Sequence, residues 1–253
     1  ALPICFRPEG LSPHRRLVEG VVTLVSKDEL VIQEQGRGVR AKVASSDGFQ
    51  IGDRVRIAGF LETRQPIAFL ANALARKLAS GTPPVPTVST VENILEVKNN
   101  YEGRYWGQHP EDFDNRLVQL KGTLIGTLKP GAEAFTLQSE MGSQVIVRFA
   151  TGSAGFSRPP PAGSLTELTG VATILHSADS PLPEFIRAVG MELLLRGPAD
   201  VRVLRAPSWW NAQRLWFAAA GTGAAQCGDV CDFRPARRAA LSQRARGAGR
   251  ARV

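Results

Sequence analysis

The chain has 253 residues, of which 43% are hydrophobic and 21% charged, enough apolar material for one large domain or two small ones. No run reaches the roughly 18 uninterrupted apolar residues of a membrane helix, and three cysteines are too few for a disulfide framework. The net charge of +8 is uneven: from Asn211 to Val253 eight arginines face two aspartates, a local +6 that leaves only +2 for residues 1–210.

The N-terminal strip, 1–14, holds Cys5, and a chain that begins with Ala1 is expected to be a mature product or a fragment. The first folding unit is expected over 15–80. It reads as short strands: Arg16-Leu17-Val18-Glu19-Gly20-Val21-Val22-Thr23-Leu24, then Leu30-Val31-Ile32-Gln33, then Gly38-Val39-Arg40-Ala41-Lys42-Val43, then Gly52-Asp53-Arg54-Val55-Arg56-Ile57-Ala58-Gly59. Period-2 alternation turns Val39, Ala41 and Val43 inward and Arg40 and Lys42 outward; in the fourth strand Val55 and Ile57 face in while Arg54 and Arg56 face out. Gly52-Asp53 is a turn signal, and Gly59 stands where a small barrel would bend sharply.

A linker over 81–114 opens with Gly81-Thr82-Pro83-Pro84-Val85-Pro86, a stiff extended connector. Ser89-Thr90-Val91-Glu92 has the form of a capping box and predicts a short helix to about Val97. Asn99 to Phe113 has no periodicity and reads as a loop.

The second unit, 115–205, repeats the first. Arg116 to Leu124 matches Arg16 to Leu24, Phe135 to Gln138 matches Leu30 to Gln33, Gln144 to Phe149 matches Gly38 to Val43, and Gly163 to Gly170 matches Gly52 to Gly59. A fifth correspondence pairs Phe69-Leu70 with Phe185-Ile186. The offset grows from 102 between Gly20 and Gly122 to 111 between Gly59 and Gly170, as lengthening loops would produce. Val145, Val147 and Phe149 again point inward and Arg148 outward, and Arg158-Pro159-Pro160-Pro161 makes a rigid crossing before the fourth strand.

Five antiparallel strands in about 65 to 90 residues suit an OB-like barrel. The expected fold is therefore all-β: two tandem OB-like five-stranded barrels joined by a Pro-rich linker with a short helix. An open sandwich is the alternative. A segment at 206–221 and a basic disordered tail at 222–253 complete the chain. The tail reads either as a genuine basic extension or as the product of a shifted reading frame, since Ala, Gly and Arg dominate it.

Constellations that carry catalysis are missing from the pattern. His14, His109 and His176 are each isolated and read as surface turn residues. No P-loop, nucleophile elbow or HExxH occurs. Cys227 and Cys231 lack further ligands for zinc, and Glu111, Asp112 and Asp114 lack the glycine and closing glutamate of a calcium loop. No metal and no cofactor is expected. Parity places Gln33, Arg40 and Lys42, with Gln138 and Arg148, on the outer face of strands two and three, where OB barrels bind ligands; these are the candidate ligand contacts. Single-stranded nucleic acid wants aromatic platforms on those strands and a basic groove. Leu30 to Val43 contains no aromatic residue, Phe135 and Phe149 have core parity, and the clustered aromatics Tyr101, Tyr105 and Trp106 sit in the linker.

Leu17 to Thr23, Leu30 to Gln33 and the Gly52 to Gly59 strand, together with the Pro-rich linker and the ending Asp200-Val201-Arg202-Val203-Leu204-Arg205-Ala206-Pro207-Ser208-Trp209-Trp210, resemble the tandem OB-like modules in the extracytoplasmic part of bacterial transmembrane sensor proteins. In that family they precede a membrane helix and a cytoplasmic histidine kinase or diguanylate cyclase. Trp209, Trp210, Arg214 and Trp216 have the makeup of a membrane interface, and Leu215 to Gly221 looks like the first two turns of a span; from Gly223 the sequence departs from the family. The resemblance implies a non-enzymatic, periplasmic or other extracytoplasmic sensory or spacer region, anchored to the membrane in a parent protein. Its partner would be a small ligand or a periplasmic protein, and it allows a homodimer of the parent. A soluble OB-fold protein binding single-stranded nucleic acid or oligosaccharide is the alternative.

Overall fold

Alternating apolar residues on five strands, three of them 11 to 13 residues long, close the first barrel. The computed structural model of the protein describes residues 14–64, 67–96, 109–176 and 188–207. Strands β1 (Arg15–Val25), β2 (Glu29–Glu34), β3 (Arg37–Val43), β4 (Arg54–Arg64) and β5 (Ile67–Ala79) form a closed barrel in the order β1-β2-β3-β5-β4. The β3–β5 pair is parallel and the other four pairs are antiparallel. Closure leaves no open sheet edge and excludes the sandwich. Its core is Val22, Leu30, Ile32, Ala41, Val55, Ile57 and Leu70 with smaller neighbours, the inward set that alternation predicts in β3 and β4.

The second barrel repeats this topology with β7 (Leu117–Ile125), β8 (Ala134–Gln138), β9 (Gln144–Phe149), β10 (Leu165–His176) and β11 (Ala188–Leu195). Here β9–β11 is the parallel pair, and the β10–β7 pairing closes the barrel. Two short strands are added to it: β6 (Thr87–Val88), parallel to β7, and β12 (Val201–Arg205), antiparallel to the first half of β10. Phe135, Phe149 and Phe156 pack ring on ring in its core, with centroids 5.1 to 6.2 Å apart.

Register shows that the repeat is structural. Gly20 lies opposite Val55 and Gly122 opposite Thr166, which are the residues that the sequence match equates. A Cβ on Gly20 would stand 3.1 Å from the Gln33 carbonyl oxygen, and one on Gly122 would stand 2.6 Å from that of Gln138. Both glycines thus admit the same close crossing of strands one and two. The fifth correspondence needs correction. Leu70 pairs with Ala41 and Leu61, and Leu193 pairs with the equivalent Val147 and Ala172. The partner of Leu70 is therefore Leu193, not Ile186, which lies with Phe185 outside the described residues. Two short apolar pairs were indistinguishable without the ladder.

The linker contributes to the second core. Helix α1 (Val91–Leu95) buries Val91 and Ile94 beside Phe113, in the same cluster as Leu137, Val147 and Leu193. Its cap differs by one residue from the expected box. Thr90, not Ser89, is the N-cap and accepts from the Asn93 N–H at 3.2 Å, while Glu92 turns away to the Ser139 hydroxyl. The expected loop ends in a 3-10 turn, Pro110–Phe113, on which the Asp112 carboxylate accepts from the His109 N–H. His176 is the last residue of β10 and not part of a turn. Residues 97–108, with Tyr101, Tyr105 and Trp106, lie outside the described residues. So do the N-terminal strip before His14 and everything after Pro207, including the three cysteines, Trp209, Trp210, Arg214, Trp216 and the tail.

Candidate functional site

Strand β2 reads Glu29-Leu30-Val31-Ile32-Gln33-Glu34, and its four central residues are all buried. Alternation accounts for Leu30 and Ile32, which enter the first core. Val31 and Gln33 face outward and are covered because the second barrel packs against them. A bulge in β1 prepares this contact. Val22 pairs with Ile32 and Leu24 with Val31, so Thr23 is an extra residue that reverses the parity of β1. Leu24 is thereby turned from the core to the outside. Leu24 and Val31 meet Leu117, Ala150 and Val171 of the second barrel, with Leu194 at the margin, in a separate apolar cluster. Full burial of side chains of this size contributes on the order of 1.5–3 kcal/mol each.

Polar groups fix the orientation of this joint. The Gln33 Oε1 accepts from the Leu117 N–H at 2.8 Å. Arg40 donates from Nε to Asn115 Oδ1 at 3.1 Å and from Nη2 to Thr173 Oγ1 at 2.9 Å, with the Glu29 carboxylate 3.7 Å from Nη1. Ser26 donates to the Thr151 carbonyl at 3.2 Å. Gly38 permits the closest approach, since a Cβ there would lie 1.9 Å from the Asn115 carbonyl oxygen. Asn115 itself has φ +57, a left-handed conformation that asparagine tolerates better than most residues.

Acidic groups line the back of the joint. Asp114, expected in a solvated acidic loop, accepts from the Ile174 N–H at 3.1 Å and from the Asn115 side-chain amide at 2.8 Å. Burial pushes its carboxyl above the ordinary range, against the opposing pull of the Ile174 N–H and of Arg40. His176 points Nε2 at Glu111, 3.1 Å away, and its buried Nδ1 has no hydrogen-bond partner among the described residues. Among the described residues no group of three or more His, Cys, Asp or Glu side chains is placed to hold a metal ion.

The five candidate contacts therefore divide. Gln33 and Arg40 have the outward parity expected, but they face the second barrel instead of solvent. Lys42 is exposed at the far end of β3, its ammonium 5.3 Å from the Phe69 ring centroid. Gln138 and Arg148 lie on the corresponding face of the second barrel, which no described element covers. Gln138 donates to the Gly142 carbonyl at 3.4 Å, and Arg148 pairs with Glu192 on β11. Ile146, 43% exposed, lies on the same face. Sequence reasoning missed Asn115, Thr173 and Leu117 as partners of the first barrel. Their sole advance signal was the apolar run in β2, where Val31 exceeds what one-sided burial requires.

No protein-family model matches the chain, and no curated protein matches it. Among solved structures, a murine DNA binding protein bound with ds DNA is 10% identical, with a TM-score of 0.35, over 76% of this chain and 97% of that one. A structure described as "Structural mimicry for functional antagonism" is also 10% identical with a TM-score of 0.35, over 74% of this chain and 91% of that one.

Proposed function

We propose that this chain is a non-enzymatic sensory and spacer region of a membrane-anchored bacterial signalling protein, placed outside the cytoplasm. The observation that carries the reading is the joint between the barrels. The outer face of β2 and β3, which a free OB-like barrel would offer to a ligand, is spent here on Leu117, Asn115 and Thr173 of its neighbour. Two barrels hung on a proline-rich linker would move independently. Two barrels held by an apolar cluster and a buried Gln–amide bond move as one body and can pass a displacement from one end to the other. Such a body suits a spacer, and a ligand that prefers one arrangement of it would make it a sensor. The face bearing Gln138 and Arg148 remains for a small ligand or an extracytoplasmic protein, and the Trp209-Trp210, Arg214 and Trp216 segment supplies the makeup of a membrane interface.

The test is topological. An antibody raised against residues 15–207 should detect the native protein in the membrane fraction of its source cells, and protease added to intact spheroplasts should destroy the epitope. An epitope that survives until the cells are lysed would overturn the proposal.

A further inference from the structure

Away from the joint, the first barrel carries a cleft of about 510 Å³ over its parallel β3–β5 pair, a volume within the range of small-molecule sites. A bulge opens it. Ala41 pairs with Leu70 but Val43 pairs with Ala73, so two residues of β5 face Lys42 alone. On the other side Ala58 pairs with Leu74 and Phe60 with Ala71, so β5 bulges against both neighbours at once. Asn72 stands in the bulge with φ +47, and Gly59 opposite it makes room, since a Cβ there would lie 3.1 Å from the Ala73 Cβ. Bulges of this kind re-aim side chains and break the evenness of a barrel wall.

The floor is apolar and firm: Phe69 and Ala71 are both buried. The rim is charged in both signs, with Arg15 and Lys42 as cations and Asp28 and Glu62 as carboxylates. Elsewhere on this barrel opposite charges find each other, as Arg54 and Arg56 do with Glu19 and Lys77 does with Asp53. Around the cleft they do not. Arg15 lies over the Phe60 ring at 5.2 Å and Lys42 over the Phe69 ring at 5.3 Å, positions that hold both cations at the rim. None of the four rim charges has an ion-pair partner among the described residues.

We infer that this cleft binds a small zwitterion with an apolar body, the chemistry of a free α-amino acid, with its carboxylate toward Lys42 and its ammonium toward Glu62, which flank Phe69 from β3 and β4. An anion alone would leave Glu62 facing it, and a cation alone would leave Lys42; a molecule bearing both charges answers both flanks of the floor. The apolar side chain would lie on Phe69 and Ala71. This site is separate from the Gln138 and Arg148 face of the sensory reading and stands on the cleft alone, so its failure would leave the membrane placement tested by protease untouched.

The test titrates the 15N-labelled full chain with L-phenylalanine and with L-leucine. Amide shifts should concentrate at Ala71–Leu74 and Lys42–Ala44. N-acetyl-L-phenylalanine, which lacks the ammonium, and L-phenylalaninamide, which lacks the carboxylate, should each bind at least about tenfold more weakly than the free amino acid. Glu62→Gln should weaken phenylalanine by a similar factor and leave N-acetyl-phenylalanine unchanged, while Lys42→Met should weaken phenylalanine and spare the amide. Both substitutions are at the surface, and unchanged thermal melting would establish that the variants are folded. No shift at these amides with either amino acid at about 10 mM, a concentration that would reveal even millimolar binding, would overturn the proposal. So would equal binding of the free and blocked forms.

Discussion

The side-chain oxygen of Gln33, on the first barrel, accepts the backbone N–H of Leu117, on the second, at 2.8 Å with both residues buried. Leu117 is buried, so this amide has no water to turn to if the glutamine is lost. Gln33→Ala should therefore destabilise the protein by about 1–3 kcal/mol, the cost of leaving a buried donor unpaired. Urea unfolding of the wild type and the variant measures it. A midpoint shift within error would mean that the joint relaxes to let water in.

Gly38 makes a sharper cut at the same place. A methyl group there would sit 1.9 Å from the carbonyl oxygen and 2.2 Å from the carbonyl carbon of Asn115, and neither backbone can yield without separating the barrels. Gly38→Ala is expected to cost about 1–3 kcal/mol or more and to uncouple the halves. Calorimetry should record one cooperative transition for the wild type and two for the variant.

Rigidity of the pair can be measured directly. With the native cysteines replaced, spin labels at Arg76 and Gln144, one exposed site on each barrel, should give a single narrow distance distribution. Arg40→Ala removes the bonds to Asn115 and Thr173 together, and the distribution should broaden. An equally narrow distribution in the variant would assign orientation to the apolar cluster and the remaining bonds of Gln33 and Ser26.

Two carboxylates act on stability in opposite directions with pH. The hydrogen bond from Lys77 holds the Asp53 carboxyl below its ordinary value of 3.8. Its contribution is complete above that value and is lost as pH falls through the lowered native one. Asp114 is the reverse: burial raises its native pKa above 3.8. The native state then holds the proton more tightly, so this contribution is present in acid and is lost as pH rises from 3.8 through the raised value. Denaturant midpoints followed from pH 3 to pH 7 should show Asp53→Asn converging on the wild type at the acid end, and Asp114→Asn lacking the loss that the wild type suffers on the way up.

Much of each barrel is legible in the sequence. Alternation in Val39-Arg40-Ala41-Lys42-Val43 and in Val145 to Phe149 assigns inside and outside because a strand has a period of two and one face must be buried. The repeat offset of 102 equates Gly20 with Gly122, and the ladder bears this out, Gly20 standing opposite Val55 and Gly122 opposite the matching Thr166. These are local constraints, and local constraints are written in short stretches of chain. Long-range packing alone decides the rest. The one-residue bulge at Thr23 reverses the parity of Leu24 with no sign in the residue itself. The repeat makes Gln33 and Gln138 equivalent, yet one is buried against Leu117 while the other bonds to its own hairpin at Gly142. Identical positions acquire different roles because only one of the two faces is covered by the other barrel, and which face that is depends on contacts between residues more than eighty positions apart.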